Sequence, residues 1–139
     1  MNPIRMRDQI RINAEEIVRL HSHVHATFKH RENGLEAWTE WERACAEFHK
    51  RYDSLAFPGG YDGPRGQNGA LTRISSGDTE AVEAAICFLE IRPYFFRSGY
   101  MFKAILRRCG RASLSSDQTA RLEAVKTALA EWKRKKSSG

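Results

Sequence analysis

Apolar residues recur at three- and four-residue steps through most of this chain, which is the pattern of amphipathic helices packed around a common core. In the first segment the recurring positions are Met6, Ile10, Ala14, Ile17, His21, Val24 and Phe28. Asn2 followed by Pro3 is typical of an N-cap and a first helical residue. The pattern therefore predicts a helix over residues 3–30, which the Asn33-Gly34 pair ends.

A second run with the same period begins directly after this break. Its apolar positions are Leu35, Trp38, Trp41, Cys45, Phe48 and Tyr52. The spacing predicts a helix over residues 35–53. Because the connection between the two runs is short, we expect the two helices to form an antiparallel hairpin.

Glycine and proline then interrupt the pattern. The stretch Phe57-Pro58-Gly59-Gly60-Tyr61-Asp62-Gly63-Pro64 is followed by Gly66 and Gly69. This composition excludes a helix or an interior strand and predicts an irregular loop over residues 54–77, in which residues 71–74 form a short extended piece. We expect Phe57 and Tyr61 to pin the loop onto the helices.

Three further helices are predicted after the loop, over residues 78–91, 93–109 and 116–133. Their boundaries follow from an N-cap at Asp78, the helix-breaking Pro93, a C-terminal glycine at Gly110 and a capping box of Ser115 with Gln118. Glycine disfavours helix formation, yet Gly99 lies within the fourth of the five predicted helices. Either that helix begins after Ser98, or another backbone approaches Gly99 closely. We expect the turn at residues 57–60 to make that approach, in which case Gly99→Val would clash.

The sequence therefore predicts an all-α fold of about five helices in one domain over residues 1–139, with an N-terminal hairpin, a C-terminal three-helix group and a basic tail over 133–139. The chain has 41% hydrophobic and 29% charged residues, which is ordinary for a folded soluble domain. No apolar run is long enough to span a membrane, and the N-terminus lacks the pattern of a signal peptide. The three cysteines, Cys45, Cys87 and Cys109, are odd in number and lie far apart in the sequence. We interpret them as free thiols of a cytoplasmic protein.

The net charge of +6 is unevenly distributed along the sequence. Residues 91–116 carry six basic side chains and residues 133–136 carry four, while all 17 acidic residues lie elsewhere. Such polarity attracts anionic partners to one part of the surface. Two partners fit it: an acidic protein surface, or a nucleic acid whose phosphates pair with the cations while its bases stack on neighbouring rings.

We expect the binding residues on the fourth helix and in the loop, and we expect no cofactor. They are Arg97, Tyr100, Lys103, Arg107 and Arg108 on the helix and Tyr61 and Arg65 in the loop. The glycines at 60, 63 and 66 are not followed by the Lys-Ser or Lys-Thr pair of a phosphate-binding loop. His21, His25 and His49 are candidate metal ligands if the hairpin brings them together, although hydrogen-bonded interface histidines are the commoner case.

Two segments resemble a loose group of uncharacterised short all-helical bacterial proteins. One is the stretch around Phe96-Arg97-Ser98-Gly99-Tyr100, and the other runs from Trp41 to Gly60. The resemblance carries no catalytic motif and implies helical character alone. Some bacterial proteins of this size are adaptor or immunity proteins, so we expect a non-catalytic protein that binds a protein partner, with nucleic-acid binding as the alternative.

Overall fold

A computed structural model describes residues 2–63 and 69–138, and in that part of the chain six helices and no strand form the fold. The helices are α1 Pro3–Phe28, α2 Leu35–Ala56, α3 Ala70–Ser75, α4 Thr79–Ile91, α5 Ser98–Cys109 and α6 Ser116–Ser138. The predicted all-α class is confirmed. Asn2 caps α1 by accepting from the Ile4 amide at 3.0 Å, as the sequence indicated.

Helices α1 and α2 form the predicted antiparallel hairpin. Their pairing is visible in two contacts: Arg51 of α2 bonds Glu16 of α1 at 2.9 Å, and the rings of Trp41 and Phe28 lie 5.9 Å apart. The C-terminal part of α1 therefore lies beside the N-terminal part of α2, as an antiparallel arrangement requires. The hairpin packs its α1 side against α4.

Helix α4 is the centre of the fold, because α1, α3, α5 and α6 all pack against it. Eight of its 13 residues are buried, including the fully buried Ile86, Cys87 and Phe88. Asp78 caps its first turn by accepting from the Ala81 amide at 3.0 Å. A helix that is apolar on nearly every face requires neighbours on every side, and the four surrounding helices supply them.

The region predicted as an irregular loop over 54–77 contains helical structure at both ends, so that prediction is corrected. Helix α2 continues to Ala56, which is buried, and residues 70–75 form α3 where an extended piece was expected. The reason is tertiary packing. Ala70 and Ile74 are both fully buried against the core, and this burial stabilises a helix too short to form alone.

The turn at residues 57–63 is held by two charged side chains. Asp53 accepts from the amides of Asp62 at 2.6 Å and of Gly63 at 3.3 Å, and Arg73 of α3 donates to the Gly60 carbonyl at 2.5 Å. Phe57 is fully buried, as expected, and Tyr61 packs against the core. The turn is therefore anchored from α2 and α3 and not from α5.

Helix α5 begins at Ser98, which settles the two alternatives for Gly99. A methyl group at Gly99 would meet nothing within 4 Å, so the expected approach of the 57–60 turn does not occur and the predicted clash of Gly99→Val is wrong. Residues 93–97, predicted as the start of the fourth helix, instead belong with Arg92 to the connection between α4 and α5. At the other end of the chain, α6 runs through the predicted basic tail to Ser138.

Four charged residues join α1, α4 and α6. Arg121 of α6 bonds Glu83 at 2.8 Å and Glu90 at 2.7 Å, both on α4, while Arg7 of α1 bonds Glu90 at 3.0 Å. Burial opposes ionisation of Glu90, but hydrogen bonds from Arg121 and Arg7 hold its pKa below the ordinary value. These ion pairs neutralise the carboxylates of Glu83 and Glu90, which are largely enclosed by the packing around α4.

Arg121→Ala should lower the free energy of unfolding by about 2–3 kcal/mol, because it leaves two mostly enclosed carboxylates without their main partner. Chemical denaturation of the purified protein measures this change. The matched control is Arg11→Ala, which removes an exposed ion pair with Asp8 and should cost less than about 0.5 kcal/mol. Equal effects of the two substitutions would contradict the structural role of Arg121.

Gly60→Ala should destabilise the protein by about 1–2 kcal/mol, because Gly60 has φ +91° and its added methyl would lie 2.9 Å from the Asp53 carboxylate. Gly99→Ala should be neutral or stabilising by up to about 1 kcal/mol, since it places alanine in an uncrowded helical position. Thermal unfolding of the two variants checks the contrast. A stability loss in Gly99→Ala as large as that in Gly60→Ala would refute this account of the turn.

Candidate functional site

The connection between α4 and α5 carries the most unusual backbone of the described residues. Arg92 and Arg97 have φ values of +49° and +69°, and they alone among the described non-glycine residues lie in the left-handed region. Arginine there costs about 1–2 kcal/mol relative to a relaxed conformation. The two arginines bracket the connection, with Arg92 directly after α4 and Arg97 directly before α5.

Buried contacts fix this connection against the rest of the fold. Phe95 is buried and its amide donates to the Ser98 hydroxyl at 3.0 Å. The Tyr52 hydroxyl of α2 donates to the Phe96 carbonyl at 2.5 Å, and burial raises the pKa of Tyr52 to about 12, so the hydroxyl remains a donor at neutral pH. The arginines that flank the connection are thus presented from a rigid support.

Helix α5 has an apolar side that is buried and a cationic side that is exposed. Met101, Phe102, Ile105 and Cys109 are buried. Arg97, Tyr100, Lys103 and Arg107 are exposed at intervals of three and four residues, so they lie along one side of the helix. No carboxylate of the described residues forms an ion pair with any of these three cations. We call these four residues the α5 face.

Of the other three candidate binding residues, Arg108 and Tyr61 do not join the α5 face. Arg108 is partly buried and donates to the Ser75 hydroxyl at 2.9 Å and to the Leu71 carbonyl at 3.4 Å, so it ties α5 to α3. Tyr61 contributes to the core, and burial raises the pKa of its hydroxyl. Arg65 lies outside the described residues.

The candidate metal ligands are placed in an aromatic environment. The His21 and His25 rings lie 4.6 Å apart, and His21 also contacts the rings of Phe48 at 5.2 Å and Phe96 at 4.9 Å. The ring of His49 lies edge-on to Phe48. In the described part of the chain no three histidine, cysteine or acidic side chains are grouped so that they could hold a metal ion. Each of the three cysteines is a free thiol, with Cys87 and Cys109 buried.

Sequence reasoning missed a cationic cluster at the end of α4. The Arg92 guanidinium lies 5.2 Å from the centre of the Phe102 ring and 4.6 Å from that of Trp132, and the Lys136 ammonium lies 5.0 Å from the same Trp132 ring. The contact with Trp132 brings the basic end of α6 to the Arg92–Arg97 connection. Arg92 stood out in the sequence only as one of several basic residues, and no local spacing relates it to Trp132.

Comparison of the chain with protein-family models, with curated proteins and with solved structures finds no match. Within the described residues, none of the helices combines the length and the apolar character required to cross a bilayer.

His21 should make the protein less stable in mild acid. Burial, and secondarily the neighbouring His25, lower the pKa of His21 in the folded state, so folding favours the neutral ring. The unfolded chain takes up a proton at its ordinary pKa of about 6.5, and stability present above that pH is lost as the pH falls below it. The melting temperature should therefore fall between about pH 7 and pH 5, and it should fall less in His21→Phe, which retains an aromatic ring. Equal losses in both proteins would contradict the assignment.

Proposed function

We propose that this chain is a non-catalytic binding protein of the adaptor or immunity type, and that the α5 face binds an acidic surface of a partner protein. The observation that carries the proposal is the exposure of Arg97, Lys103 and Arg107 along one side of a helix whose opposite side is locked into the core. Since no carboxylate of the described residues pairs with them, these cations are available to the carboxylates of a partner.

The chemistry of the α5 face supports binding by charge. Its four members supply three cations and one phenol, with no carboxylate, imidazole or thiol to act as a general base or nucleophile. Tyr100 is 78% exposed and adds a rigid ring of the kind that anchors protein interfaces. Because α5 is fixed by its buried side, the face requires little reorganisation to bind.

A protein partner fits this surface better than a nucleic acid. Single-stranded nucleic acids bind where several rings alternate with cations, so that successive bases can stack. Of the aromatic residues in this segment, Phe95 and Phe102 are buried in the core, while Tyr94, Phe96 and Tyr100 are exposed. Only Tyr100 of these three belongs to the α5 face, since Tyr94 and Phe96 lie in the connection before the helix. Along α5 itself the cations therefore alternate with one ring only, which matches a surface of carboxylates more closely than a track of bases.

The test is charge reversal on the α5 face. Lys103→Glu with Arg107→Glu should weaken the complex with a partner captured from the native organism by about tenfold to a hundredfold, mainly through repulsion of its carboxylates. Titration calorimetry with the purified partner measures the affinity. The matched control is Lys29→Glu with Lys50→Glu, which makes the same change of net charge at exposed positions on the hairpin.

Two outcomes would refute the proposal. One is an affinity that falls equally in the α5 variant and in the control, since the effect would then be due to net charge alone. The other is tight binding of a labelled single-stranded oligonucleotide that weakens steeply with salt and is lost in the α5 variant, which would identify the face as a nucleic-acid site.

A further inference from the structure

A second surface lies on the other side of α5, where that helix and α6 both pack against α4. Between them an open groove of about 290 Å³ is lined by apolar side chains, among them Leu89 of α4, Phe102 of α5, and Val125 and Leu129 of α6. Val125 and Leu129 are only partly buried. The apolar side of α6 is therefore incompletely covered by the chain itself.

The charged side chains of this groove are paired with opposite charges except at one end. Its carboxylate, Glu90, is already bonded to Arg121 and to Arg7. At the other end, one helical turn beyond Leu129, Arg92 and Lys136 both lie against the Trp132 ring. No carboxylate of the described residues forms an ion pair with either cation. The groove thus offers an apolar floor and a positively charged end.

We infer that this groove docks an amphipathic, acidic helical segment of a partner protein, with a carboxylate bound at Arg92 and apolar side chains against Phe102, Val125 and Leu129. An amphipathic helix laid into an apolar groove is a common mode of protein recognition. The inference rests on the proposed function, because it supposes a protein partner, but it assigns that partner a second contact outside the α5 face.

The backbone at Arg92 supports a role for its side chain in binding. Arg92 is the residue after α4 and has φ +49°, a position where helices most often place glycine because other residues are strained. Glycine at this position would avoid the strain, but it would not supply a guanidinium group. Arg92 also lines a second open groove, with Val18 of α1 and Tyr94, so it is reachable from both sides.

The experiment separates binding from folding at this one position. Arg92→Gly and Arg92→Asn both tolerate the left-handed conformation and both remove the charge. The probe is a labelled synthetic amphipathic helix with leucines on one face and glutamates beside them, and the control peptide has lysine in place of each glutamate. Fluorescence anisotropy at physiological salt measures their binding.

We expect the acidic peptide to bind the unmodified protein, the lysine peptide to bind at least tenfold more weakly, and both Arg92 variants to lose about tenfold in affinity for the acidic peptide. The melting temperature of Arg92→Gly should be nearly unchanged, because relief of the backbone strain offsets the loss of the contacts with Phe102 and Trp132. The α5 variant, Lys103→Glu with Arg107→Glu, should retain most of the affinity for the peptide.

Failure of this inference is distinguishable from failure of the proposed function. The inference is overturned if the acidic peptide does not bind, if both peptides bind equally, or if the Arg92 variants bind it normally. It is also overturned if both Arg92 variants melt at lower temperature, since the arginine would then be retained for its contacts with Phe102 and Trp132. In any of these cases, loss of the captured partner by the α5 variant alone would leave the proposed function standing.

Discussion

The burial of α4 determines how the rest of this fold is arranged. A helix with apolar residues on nearly every face has no stable exposed orientation, so α1, α3, α5 and α6 must surround it. Its Glu83 and Glu90 are enclosed by the same packing, and Arg121 and Arg7 approach from two different helices to neutralise them. The ion pairs thus align α1 and α6 along α4, while the apolar contacts supply most of the stabilisation.

The enclosure of α4 stops at its C-terminal end, where two exposed cations, Arg92 and Lys136, lie against the same ring. Arg92 follows the last helical residue, and its stacking on Trp132 brings the basic part of α6 to the same place. Arg97 lies directly before α5, a few residues later. Two basic segments that are distant in the sequence therefore meet at the Trp132 ring, against which Arg92 and Lys136 both lie.

The helices that could be predicted were those whose signals are local. Asn2 before Pro3 and the pair Ser115 and Gln118 cap their helices as their sequence spacing indicated, with the latter pair reciprocally bonded at 3.1 Å. Helix α3 could not be predicted, because its six residues are helical through the burial of Ala70 and Ile74 by distant parts of the chain. The start of α5 was misplaced for a related reason, since Pro93 and Phe95 are buried outside the helix through packing that no spacing reveals.

The candidate site shows the same division between local and distant information. Helical periodicity was sufficient to place Lys103 and Arg107 on one side of α5, but not to show that Tyr100 is exposed or that Arg108 donates inward to α3. The left-handed conformations of Arg92 and Arg97 had no sequence signal, because glycine is the residue that normally marks such positions. That absence is informative once the structure is known. A chain that uses glycine freely in its 57–63 turn places arginine at both strained positions of the α4–α5 connection, and the strain is compensated only if the side chains make contacts that glycine could not make.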